Sequence, residues 1–194
     1  RSRDEALVKK GNEKVIRPRF ADAQFFWEQD LKRPLADYLP RLAAVSYQAK
    51  LGTLADKVAR LEALTAYLGP LTGADPAPLA LAARLSKSDL LSEMVMEFPE
   101  LQGVMGAYYA EAEGLGPTVA AALREQYQPL GAQGSLPRTR EGLALALAEK
   151  VDVLVGGFAL GAKPSGSKDP YGLRRNAIAL IRLIIENELR DRKS

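Results

Sequence analysis

The chain has 194 residues, 47% of them hydrophobic and 26% charged, the balance of one ordinary globular domain and not of a disordered or low-complexity tail. It holds no histidine and no cysteine, which excludes Cys/His zinc sites, disulfide scaffolds, thiol nucleophiles, Ser-His-Asp triads and imidazole acid–base chemistry together. The net charge of +3 is uneven: residues 1 to 20 carry seven bases and three acids, residues 163 to 194 eight and four, and the stretch between them twelve and seventeen. Basic ends around an acidic middle suit a polyanion partner and equally suit solvated charge on exposed segments.

The longest apolar stretch, Ala177 to Ile185, is broken by Arg182 and falls far short of the roughly 20 residues that cross a membrane. Residue 1 is Arg, and the first ten residues lack the apolar core of a signal peptide, so a piece of a longer chain is expected. Residues 1–20 read as a linker or edge segment, with Lys14 to Arg19 strand-like and Pro18 confining it to an edge. From there the apolar spacing is helical throughout, and residues 21–194 read as one all-α domain. Asp22 to Asp30 is expected to form a helix with Phe25, Phe26 and Trp27 inward. Thr53 and Asp56 form a capping-box pair before Leu54, Val58, Leu61, Leu64 and Leu68, with Gly69-Pro70 as the stop. Asp75-Pro76 starts a helix through Leu79, Leu81 and Leu85, and Ser86 or Ser88 is available to cap the next. A helix opened by Gly116-Pro117 is expected to end near Gln128-Pro129. Thr139 or Glu141 opens one that reaches Phe158, and Asp169-Pro170 restarts a last amphipathic helix.

With imidazole and thiol missing, carboxylates are the first candidates for chemistry. Asp89 and Asp152 each stand in an apolar helical context, and a buried acid needs a partner. One reading is a hard-cation site bridging two helices; the other is an N-cap for Asp89 and an ion pair from Asp152 to Lys57 or Arg60. Lys57 and Arg60 share a helix face at i, i+3. Lys163, Lys168, Arg174 and Arg175 cluster around a polar loop and a helix start that lack the spacing of a nucleotide-binding loop.

Five blocks carry a family resemblance: GNEKVIRPRFADAQFFWEQD (11–30), LGTLADKVARLEAL (51–64), LSKSDLLSEMVMEFPELQGVMGAYYA (85–110), REQYQPL (124–130) and GSKDPYGLRRNAI (166–178). In order and spacing they resemble the beta subunit of the bacterial heterotetrameric glycyl-tRNA synthetase. The resemblance implies a degenerate HD-type helical bundle, to which the strand-like residues 14–19 would add a short extended N-terminal segment. Ser88 and Asp89 would stand at its His-Asp pair and Asp152 at its later acid, and the region of Thr53 and Leu54 would lack the first histidine ligand. It further implies a non-catalytic tRNA-binding or structural module, without a cofactor of its own, in a cytoplasmic enzyme that uses ATP and Mg²⁺ at its alpha-subunit active site. Its partners would be the acceptor region of the glycine tRNA, the alpha subunit and other domains of the beta subunit, with Lys57, Arg60, Lys150, Lys163, Lys168, Arg174 and Arg175 as the RNA-contacting bases. Two alternatives stay open: an HD-type metal-dependent phosphohydrolase using Asp89 and Asp152, and a helical scaffold for interdomain docking.

Overall fold

A computed structural model describes residues 5–48, 50–131, 133–162, 164–165, 169 and 171–189. Among them the architecture is helical, with one small antiparallel pair, β1 (Ser46–Gln48) and β2 (Gly52–Thr53), as its sheet. Helices α1 (Glu5–Asp30) and α2 (Leu39–Leu42) precede the pair. After it come α3 (Leu54–Thr72), α4 (Pro76–Leu85), α5 (Glu93–Glu97), α6 (Val104–Ala112), α7 (Pro117–Glu125), α8 (Arg140–Ala159) and α9 (Leu173–Glu186). None of the described helices is long and apolar enough to cross a membrane.

The capping chemistry acts where the sequence placed it. Thr53 and Asp56 form a reciprocal capping box at the start of α3, the Asp75 side chain accepts from the Ala77 N–H at the start of α4, and Thr139 accepts from Gly142 at the start of α8. α8 packs against α3, α4, α7 and α9, and the small and branched side chains of its first half, Ala144, Leu145, Ala146 and Ala148, are buried. One apolar cluster joins α4, α6, α7 and α8 through Leu79, Ala83, Ala107, Leu123 and Leu145, and a second seats Leu183 of α9 against Leu143 and Leu147. α3 crosses α8 on the other side, and that crossing holds the charged residues described below.

Several expectations are corrected. Lys14 to Arg19 is helical and continuous with residues 21–30, so the described part of the N-terminal segment is not extended; helix formers on both flanks outweigh the single backbone donor that Pro18 removes. Phe25 points outward, while Phe26 and Trp27 pack on the core, with Trp27 stacked on Tyr109 at 5.4 Å between centroids. α3 runs through Gly69-Pro70 to Thr72, and Gly73 in the left-handed region closes it. Neither Ser86 nor Ser88 caps a helix start; Ser92 caps α5 through the Val95 N–H. α7 ends at Glu125, before the cis Gln128–Pro129 bond.

Candidate functional site

Where α3 meets α8, charged side chains stand in the interior. Glu149 and Asp152 are three residues apart on α8 and so share a face. Lys57, only 2% exposed, lies between them, with its Nζ 3.1 Å from Glu149 Oε1 and 2.8 Å from Asp152 Oδ2. The same ammonium sits 4.5 Å from the Tyr47 ring centroid. Arg60, one turn on, pairs through Nε with Asp152 Oδ1 and donates from Nη1 to the Leu51 carbonyl at 3.0 Å. On the far side Lys87, 1% exposed, meets Glu149 Oε2 at 3.1 Å, Gln126 Oε1 at 2.7 Å and the Tyr127 hydroxyl at 3.0 Å. Glu149 thus bridges two buried ammonium groups. Burial pushes its carboxyl up, but Lys87 and Lys57 overcome that and hold it at about 2.

Asp89 is not part of this ion-pair chain. Its Oδ2 accepts from the backbone N–H of Gly103 and, at 3.1 Å, of Gly106. Those are the N-cap and third residues of α6, so Asp89 supplies a capping carboxylate from a distant element. Burial raises its pKa, against the pull of those two donors and of Lys87, and Oδ1 has no hydrogen-bond partner. The arrangement recurs. Asp30 accepts from the Glu93 and Met94 N–H groups at the start of α5 and from the Tyr109 hydroxyl. Glu141 accepts from Asp75 N–H before α4 and Glu125 from Thr139 N–H before α8, whereas Asp169 caps α9 locally, accepting from the Leu173 and Arg174 N–H groups.

Both acids considered as cation ligands therefore have structural partners: Asp152 is ion-paired to Lys57 and Arg60, and Asp89 caps a helix. Among the described residues no three His, Cys, Asp or Glu side chains converge as a ligand group. Ser88 is buried beside Asp89, and its hydroxyl has no hydrogen-bond partner.

The basic residues fall into two sets. Lys57 is committed to carboxylates in the interior, so its ammonium is not offered to a phosphate at the surface; Arg60 is half-buried on Asp152. Lys150, Arg174 and Arg175 lie elsewhere. Lys150 donates to the Tyr127 carbonyl at 2.8 Å and lines a cavity of about 690 Å³ that Arg124 and Arg175 share. Arg174 and Arg175 are exposed on the first turn of α9. Lys163 and Lys168 lie outside the described residues. Sequence reasoning misses Lys87, Gln126, Tyr127 and Glu149 as members of one charged cluster. The available signal is a lone lysine between serines at the end of an apolar helix, a position that usually leads the ammonium out to water.

The described residues thus form a helical bundle with buried ion pairs, carboxylate-capped helices and basic side chains at one cavity. The comparisons with known proteins take this further. The family model described as glycyl-tRNA synthetase beta subunit matches residues 1–192, and the chain belongs to that family. It is 61% identical over 188 residues to the glycine–tRNA ligase beta subunit of Dichelobacter nodosus, covering 97% of this chain and 27% of that protein. It is 54% identical, with the same coverage, to that of Acinetobacter baylyi, and 52% identical to that of Pseudomonas putida, 28% of which it covers. The chain spans about a quarter of the length of these relatives.

Proposed function

We propose that this chain is a non-catalytic module of a glycine–tRNA ligase beta subunit that helps hold the glycine tRNA while the alpha subunit attaches glycine with ATP and Mg²⁺ in the cytoplasm. The observation that carries the reading is the pair of exposed guanidinium groups, Arg174 and Arg175, on the first turn of α9 beside the basic cavity, in a chain whose relatives are named for a tRNA ligase. Guanidinium groups suit phosphate geometry. Contacts of this kind position a tRNA by its backbone without reading bases. The core charges act differently: Lys57 on α3 and Lys87 after α4 are ion-paired to Glu149 and Asp152 of α8, the helix on which α9 packs.

The test is tRNA affinity against salt in the assembled enzyme. Arg174→Glu with Arg175→Glu should weaken binding about tenfold and flatten the slope of log K against log salt by roughly 1 to 2, since each lost phosphate contact removes roughly 0.7 to 0.9. Glycine-dependent ATP–pyrophosphate exchange should be unchanged. An unaltered slope would remove the surface from the RNA path.

A docking role toward other parts of the same assembly has its own observation: Ile178, Ile181 and Ile185 leave an apolar stripe exposed on α9, and Val15, Phe20 and Phe25 are exposed on α1. Hydrogen exchange in the assembled enzyme distinguishes the two readings, because docking protects these helices without tRNA.

A further inference from the structure

Lys150 differs from the other interior lysines. Lys57 and Lys87 each meet carboxylates, whereas Lys150, 6% exposed, has as its partner among the described residues only the neutral Tyr127 carbonyl, at 2.8 Å. An ammonium carries three donors, so two are uncommitted. The neighbouring acid, Glu149, is already shared between Lys57 and Lys87. Burial together with Lys87, Lys57 and Arg175 outweighs Glu149 and depresses the Lys150 ammonium to about 8. The chain keeps a cation where solvation and the local field both oppose it, a cost that a bound anion would remove.

The cavity in front of Lys150 is suited to such an anion. Its volume, about 690 Å³, exceeds that of one phosphate group, and its lining sets Lys150, Arg124 and Arg175, with the polar Gln128 and Asn176, against a single acid, Glu100. Arg124, also on the wall, is partly committed to Glu111 at 3.5 Å and lies over the Tyr108 ring. We infer that this cavity is a seat for one phosphate-type oxyanion, held by the Lys150 ammonium and the Arg175 guanidinium with the polar side chains of Gln128 and Asn176 around it. That the phosphate comes from RNA backbone rests on the function proposed above; a free phosphate offers the same chemistry.

The experiment is trace acetylation of lysine amines in the assembled enzyme at pH 8, read by mass spectrometry on the peptide containing Lys150, with exposed Lys32 as internal reference. Saturating glycine tRNA should lower Lys150 labelling at least fivefold relative to Lys32, inorganic phosphate should do so at millimolar concentration, and Arg175→Gln should weaken both effects. Protection by tRNA alone assigns the seat to RNA backbone. Protection by phosphate alone keeps the seat and removes RNA as its occupant, whatever the salt slope of Arg174 and Arg175 shows. A thermal arm covers limited reagent access: phosphate, against chloride at matched ionic strength, should raise the unfolding temperature more in the wild-type enzyme than in Lys150→Met. No protection by either ligand, together with equal thermal shifts, would overturn the inference.

Discussion

Lys87 shows how much one buried side chain can control. It is the second cation on Glu149, and removing it leaves that carboxylate in the interior with Lys57 as its remaining ion-pair partner. Breaking a buried pair from one side costs about 3–5 kcal/mol, whereas replacing the whole group with apolar side chains is often near neutral. Lys87→Met should therefore destabilise the region by several kcal/mol, seen as faster hydrogen exchange in α8. Lys87→Met with Glu149→Leu, which leaves Lys57 paired with Asp152, should recover most of it, and a double variant as unstable as the single one would contradict the rule. Asp89 allows a finer comparison. Burial already favours its neutral form, so Asp89→Asn, which keeps an acceptor for the Gly103 and Gly106 N–H groups, should cost less than Asp89→Ala by about 1 kcal/mol. The readout is amide exchange in the first turn of α6.

Among the elements, the same device recurs: a carboxylate from one segment caps a helix from another. Asp30 at the end of α1 holds the start of α5, Glu141 on α8 holds the loop before α4, and Glu125 on α7 holds the start of α8. A cap contributed from a distance fixes both the helix end and the angle between two elements, which a local cap cannot do. Asp30→Ala strands two amides and the Tyr109 hydroxyl, and at about 1–3 kcal/mol per buried unsatisfied group it should be among the most damaging single changes in α1. Its expected signature is loss of exchange protection in α5, together with altered emission of Trp27, which stacks on Tyr109. If α5 stayed protected, Asp30 would not be what holds it.

For the whole molecule, charge couples stability to pH in two windows. The Glu149 carboxyl is held at about 2 in the folded chain, below its unfolded value of about 4.3. Its stabilisation is complete above that unfolded value and is lost as pH falls toward 2, an effect on the order of 3 kcal/mol. Lys150 works in the opposite sense. Its folded value of about 8 lies below the ordinary 10.5, so between those limits the unfolded chain holds a proton that the folded chain has shed, and stability rises with pH. Lys150→Met should abolish that rise and be more stable than wild type at pH 7, as measured by denaturant midpoints of the subunit. A wild-type stability flat between pH 8 and 10 would refute the charge state assigned to Lys150.

Much of this is legible in residue order alone. Caps at Thr53, Asp75 and Thr139 are local, because a side chain and an amide two or three residues away meet in any helix start, and the absence of imidazole and thiol is a matter of counting. Even the Asp152 partners, Lys57 and Arg60, follow from a buried acid's need for a base. What residue order leaves open is where chains of contact cross. Lys14 to Arg19 reads as extended because a proline is a stronger local signal than the helix formers around it. Lys87 reads as a solvated side chain because nothing near it in sequence announces Glu149, 62 positions on. Only packing α3 and the end of α4 against α8 brings those charges together, and only the turn from α7 into the Tyr127 loop leaves Lys150 facing a cavity with a neutral carbonyl for company. Local rules act over a few bonds and can be read directly, whereas burial and the field that a charge feels are set by everything packed around it.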